Sequence, residues 1–176
     1  FDLELNPTEH SFRLNNHSDS IFVSRIPFSK MGEPSPLVQL VELTGNISNA
    51  FTTTLFKVNP DEKTLSLRHY ISLSSNFNPK AKIKFGEGPL GQVARSKKPF
   101  LDENIMQNQA KLGFYKNEES LKSFFAIPVV FKKLEGVLAI DSKQSYSFPV
   151  KQQKIIKGLA DQMAWHLDQE KRNFKN

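Results

Sequence analysis

The hydrophobic period of this chain changes several times, and the order of those changes limits the folds open to it. Leu37, Leu40, Val41, Thr44, Ile47 and Ser48 recur at helical spacing, with Ser35 placed to cap and Pro36 at the first helical position. That pattern predicts a helix running to about Asn49. Residues 51–58 are then dense in Thr, Phe, Leu and Val. After the turn residues Asn59-Pro60-Asp61-Glu62, Leu65, Leu67, His69 and Ile71 alternate with Ser66, Arg68, Tyr70 and Ser72. A period of two on both sides of a turn describes a β-hairpin. Residues 86–96 have the composition of a short helix opened by glycine, and residues 99–103 that of a short strand. A polar connection follows over residues 104–122, with helical turns expected around Ala110 and Glu119. Residues 124–131 and 136–141 form a second strand pair across Lys132-Lys133-Leu134-Glu135. Ile155, Ile156, Leu159, Ala160, Met163 and Leu167 mark one face of a closing helix that starts near Val150. Helices at both ends of paired strands predict an α+β fold, an antiparallel sheet with its terminal helices on one face.

The 176 residues suffice for one packed domain with a modest extension. Residues 1–36 lack sustained periodicity and finish in Met31-Gly32-Glu33-Pro34-Ser35-Pro36, a run of helix and strand breakers. They are expected to form an extension or linker, with a short helix or strand around residues 21–26. The domain proper is then residues 37–172, and residues 173–176 form a tail toward a downstream region. Phe1 stands where a start methionine would, with no basic segment and apolar run behind it, so the chain reads as a piece of a larger polypeptide. Its longest apolar stretch, residues 124–131, is strand-sized, so no membrane span is expected and a cytoplasmic setting is.

The absence of cysteine removes disulfides, thiolate nucleophiles, thiol redox chemistry and thiolate-ligated metals together. The net charge of +6 is uneven, since residues 1–36 carry three basic and five acidic side chains, a balance of −2 that leaves +8 for the rest. Lys80, Lys82, Lys84, Arg95, Lys97 and Lys98 make residues 80–98 the densest basic region. They are not interleaved with stacking aromatics or placed on a groove-reading helix, so they read as a solvated rim rather than a nucleic-acid surface. Gly86-Glu87-Gly88-Pro89-Leu90-Gly91 satisfies the dinucleotide pattern G-x-G-x-x-G. It lacks the buried parallel strand before it, the full helix after it and the carboxylate about 20 residues on. Its glycines are expected to serve backbone geometry. His10 and His17 fall in the extension with no third metal ligand. His69 shares its predicted strand face with Leu65 and Leu67 and is expected to be a hydrogen-bonded core residue. His166 stands four residues before Glu170 as an exposed helical pair. Adjacent acids, Asp102-Glu103 and Glu118-Glu119, diverge in regular structure, and no serine sits in a nucleophile elbow.

Several segments taken in order resemble the GAF domain, a small sensor module of signalling proteins related to the PAS fold. Ala50-Phe51 through Leu55-Phe56 with Leu65-Ser66-Leu67-Arg68 is similar to its first hairpin. The run from Gly86 to Ala94, followed by Lys98-Pro99-Phe100-Leu101-Asp102, is similar to its glycine-opened helix and the strand after it. Ser123-Phe124-Phe125-Ala126-Ile127-Pro128-Val129 and Glu135-Gly136-Val137-Leu138-Ala139-Ile140-Asp141 resemble its central strands, and residues 148–167 its closing helix. The resemblance implies a six-stranded antiparallel sheet with terminal helices on one face and, on the other, a ligand pocket roofed by residues 104–122. Phe114 and Tyr115 would wall that pocket or fill it, while Ser123, Phe125 and Asp102 would face it. It further implies a non-catalytic regulatory module that binds an unidentified small molecule, forms a homodimer through its terminal helices and signals to an output domain. The structural alternative is a dimerisation module with a self-filled pocket. No cofactor is specified. The motif of the cyclic-nucleotide-binding members is missing, and without cysteine neither bilin attachment nor the thiol chemistry of the methionine sulfoxide reductase members is open to this chain.

Overall fold

The computed structural model describes residues 35–105 and 112–173. Ser35 accepts a hydrogen bond from the Val38 N–H at 3.4 Å and opens helix α1 (Pro36–Ser48), with Pro36 in the first turn where its missing N–H is not needed. Asn49 closes the helix in the left-handed conformation. Strands β1 (Thr52–Asn59) and β2 (Thr64–Ser72) form the hairpin, followed by β3 (Lys82–Lys84), helix α2 (Gly88–Ser96), β4 (Phe100–Asp102), β5 (Ser123–Phe131), β6 (Lys133–Ser142) and helix α3 (Val150–Asn173). The strands build one six-stranded sheet in the order β3-β2-β1-β6-β5-β4, with every adjacent pair antiparallel. The first hairpin and the second are thus joined edge to edge through β1 and β6.

Alternation along the strands sends side chains to two separate cores. On one face, Leu55, Phe125, Ile127, Val129, Leu138 and Ile140 pack against Leu37 and Val41 of α1 and Ile156, Ala160, Met163, Ala164 and Leu167 of α3. On the other, Phe56, Leu65, Phe124, Ala126, Val137 and Ala139 pack against Leu90, Val93 and Ala94 of α2 and against Ile105, Leu112, Phe114 and Leu121 of the β4–β5 connection. Gly86 and Gly88, at φ +88° and +58°, adopt the left-handed backbone that turns the chain from β3 into α2, so the glycine motif serves geometry.

The structure departs from the sequence reading at several points. Arg68 is an extra residue in β2, because Leu55 pairs with His69 while Phe56 pairs with Leu67. This bulge places Leu65 and Leu67 on the roofed face and Ile71 on the helix face. His69 therefore does not share the face of Leu65 and Leu67, and its Nε2 is buried without a hydrogen-bond partner among the described residues. Residues 82–84, too charged to read as a strand, form β3 with only Ile83 buried, and its lysines blunt an exposed edge. The second turn is tighter than four residues: Lys132 alone takes the left-handed turn conformation between β5 and β6, and Glu135 is the bulged residue. No helix forms around Glu119, whose carboxylate instead binds side chains of the β2–β3 loop. Glu170 pairs with Arg68 at 2.9 Å rather than with His166. The last turns of α3 are accordingly tied to the sheet. The elements expected around residues 21–26 and Ala110 lie outside the described residues, as do His10 and His17. Among the described residues, no helix is long and apolar enough to cross a membrane.

Candidate functional site

Thr52 opens β1 and lies opposite both Ser72 of β2 and Asp141 of β6, so the sheet register gathers three polar side chains at one end. Segment 112–122 passes over them. Its main chain is pinned to the β2–β3 loop: the Asn78 N–H donates to the Phe114 carbonyl at 2.9 Å, and the Lys116 N–H to the Asn76 carbonyl at 2.8 Å. Phe77 and Tyr115 form an isolated antiparallel bridge between these bonds. Glu119 clamps the far side, accepting from Ser74 Oγ and from Asn76 Nδ2 at 3.1 Å, with Lys143 Nζ 3.6 Å away.

Under that roof, the Tyr115 hydroxyl reaches Asp141 Oδ2 at 2.7 Å and Thr52 Oγ1 at 2.5 Å. Thr52 Oγ1 also lies 2.7 Å from Ser72 Oγ. One phenolic proton serves one of these acceptors at a time. Asp141 is 0% exposed, and its Oδ1 is buried without a hydrogen-bond partner among the described residues. Burial pushes its pKa up to about 8, the nearby Glu119 charge adding to the rise. The Tyr115 hydrogen bond, the Thr52 main-chain N–H and Lys143 oppose it. Burial and the Asp141 charge likewise raise Tyr115 well above the ordinary phenol range.

Phe114 is 1% exposed, with its ring centroid 6.2 Å from that of Phe56, 5.9 Å from Phe77 and 4.8 Å from Tyr115. Phe114 is thus buried among aromatic rings and Tyr115 is partly buried beside it. Asp102 lies on the roofed face, but its Oδ1 accepts from the Asn104 N–H at 2.9 Å and so shapes the entry to the roof. Phe125 faces the opposite way, its ring centroid 6.0 Å from that of Phe148 in the helix-side core, because it alternates with Phe124 and Ala126. Ser123 donates to the Gln144 carbonyl at 2.7 Å and ties β5 to the loop after β6. Thr52, Ser72, Glu119 and Asp141 were missed as site residues. Only Asp141 carried a signal, a carboxylate ending the apolar run Val137-Leu138-Ala139-Ile140.

A family model described as GAF domain matches residues 37–168. The chain belongs to the GAF domain family. Its fold is that of solved GAF structures. The GAF domain of a phosphoenolpyruvate-protein phosphotransferase from Coxiella burnetii superposes with a TM-score of 0.66 at 20% identity, covering 80% of this chain and 84% of that one. A methyl-accepting chemotaxis protein segment gives 0.58 at 17% identity, covering 76% and 87%. Free methionine-R-sulfoxide reductase from Neisseria meningitidis, solved with its substrate, gives 0.61 at 18% identity, covering 78% of each chain. No curated protein matches the sequence. These likenesses establish the fold, and they include both regulatory domains and an enzyme. In this GAF domain, no three His, Asp or Glu residues among those described gather as a metal site.

The buried carboxyl makes stability depend on pH with a definite sign. Asp141 holds its proton more tightly in the folded chain than in the unfolded one, where a carboxyl titrates near 4. The folded state therefore binds more protons between pH 4 and about 8, and stability falls as pH rises through that window. Urea unfolding from pH 5 to 8 should show this loss in the wild type and a flatter profile in Asp141→Asn. Equal slopes in both proteins would assign the dependence to other groups.

Proposed function

We propose that this GAF domain is a non-catalytic regulatory module of a larger cytoplasmic signalling protein. In this reading residues 37–172 form the module, residues 1–36 lead into it and residues 173–176 lead toward an output domain. A small molecule binds beneath segment 112–122 and is reported through α1 and α3. The observation that carries the reading is the Tyr115–Asp141–Thr52 contact, a buried polar group held under a segment attached largely by loop hydrogen bonds. Such a place can exchange an internal partner for an external one. Without cysteine the thiol route is closed. Occupancy could shift the helices only by as much as affinity differs between the two arrangements. The Glu170–Arg68 and Lys171–Glu135 pairs connect the end of α3 to the sheet, where such a difference would be felt.

Leu43 and Ile47 on α1 and Ile155 on α3 remain exposed, and Gln152 Nε2 donates to the Ile47 carbonyl at 2.8 Å, holding the two helices together. A homodimer through this surface completes the proposal. The second reading, a dimerisation module whose pocket is filled by its own rings, is favoured by the complete burial of Phe114. Native mass spectrometry of the chain, gently ionised and then denatured, separates the two. A dimer that releases a small molecule supports the sensor, whereas an empty dimer that no metabolite stabilises favours the structural module. Leu43→Glu should convert either dimer to monomer, and unchanged sedimentation would overturn the helix-mediated interface.

A further inference from the structure

Among the described residues Tyr115 is the one side-chain donor to the two acceptor oxygens of Asp141, and the Thr52 main-chain N–H lies beside the carboxylate. Tyr115 addresses Oδ2 and shares its hydroxyl with Thr52, while Oδ1 has no hydrogen-bond partner among the described residues. A buried acceptor without a donor is costly, and once Asp141 ionises a buried charge without an opposite charge is more so. We propose that the small molecule taken beneath segment 112–122 carries an ammonium group on a flat apolar body, and that it displaces Tyr115 from Asp141. This rests on the small-molecule reading above and names its chemical class.

The donor count favours an ammonium over a hydroxyl. A hydroxyl would replace the Tyr115 hydroxyl one for one and leave Oδ1 unmet, whereas an ammonium brings three donors for Oδ1, Oδ2 and Thr52 Oγ1. The charge favours it as well. Asp141 and Glu119 meet at this end of the sheet, with Asp102 two strands away in the same row, and the neighbouring Lys143 is engaged with Glu119 and stands 4.1 Å over the Phe51 ring, so an anion would meet repulsion. The body of the molecule would take the place of the Tyr115 ring, which meets Phe77 edge-on at 6.2 Å. Tyr115 is in this sense the internal occupant of the site, and its release removes one tie between segment 112–122 and the sheet end.

The test uses benzylamine, protonated at neutral pH, with benzyl alcohol and benzoate as matched probes of other charge. Each is titrated into Tyr115→Ala and into Tyr115→Ala/Asp141→Asn, with binding followed by calorimetry. Benzylamine should bind Tyr115→Ala about tenfold or more tightly than either companion, the scale of a hydrogen bond to a charged group. The preference should vanish in the double variant. If the alanine variant does not fold, Tyr115→Leu keeps more of the buried volume and is titrated in the same way. Equal binding of the three probes, or a benzylamine preference that survives Asp141→Asn, would overturn the ammonium assignment and leave the pocket standing. Binding of none of them to a folded variant would overturn the small-molecule pocket itself.

Discussion

Gly136→Ala is expected to destabilise the domain by at least about 3 kcal/mol, above the ordinary range for one added methyl in a packed core. A Cβ at this position would lie 2.2 Å from the Phe56 carbonyl oxygen. That oxygen belongs to the neighbouring strand rather than to a flexible side chain, so relief requires β1 and β6 to part. Gly136 also begins the register that joins the two hairpins, facing Lys57, so the strain falls on the central seam of the sheet. Equilibrium urea unfolding of the variant measures it. A midpoint close to that of the wild type would mean that β1 and β6 accommodate the methyl without separating.

Removing Lys171 should have a comparable effect through electrostatics. Glu135 is 0% exposed, its Oε2 meets Lys171 Nζ, and its Oε1 has no hydrogen-bond partner among the described residues. Lys171→Met leaves that carboxylate buried and alone, a loss of about 3–5 kcal/mol for a pair of this kind. Removing both charges in Glu135→Gln/Lys171→Met should recover much of the loss, since the larger part is the penalty of the orphaned charge. Stability of the single and double variants, measured by urea unfolding at pH 7, checks this. A single variant within 1 kcal/mol of wild type would show that the carboxylate reaches water once the lysine is gone. The same pair bears on function, because it fastens the last turn of α3 to the bulge of β6.

Much of the fold was legible in the residues. The helical spacing from Leu37, the closing face from Ile155 to Leu167 and the two hairpins all matched the elements observed, because each depends on neighbours a few positions apart. The strand β3 was not legible: a three-residue edge strand gains its pairing from β2 and carries only Ile83 as an apolar signal. Bulges were equally hidden. Arg68 looks like an ordinary member of an alternating run and Glu135 like the end of a turn, and only pairing with the opposite strand reveals each as an inserted residue. The error at His69 follows directly, since a single inserted residue reverses which face every later side chain meets.

The site was legible in outline and not in composition. Segment 104–122 could be picked out by its length and polarity, and Tyr115 lies at the contact that matters, but Phe125 was assigned to the wrong face and Asp141 and Thr52 were passed over. Local pattern by itself determined the helices, the hairpins and the exclusion of thiol chemistry, because periodicity and composition act through chain neighbours and residue type. Tertiary structure decided the rest. Thr52, Tyr115 and Asp141 are separated by 63 and 26 residues and meet only through sheet register and the fold of the roof, so the burial that raises the Asp141 pKa exists only once the sheet has closed around it.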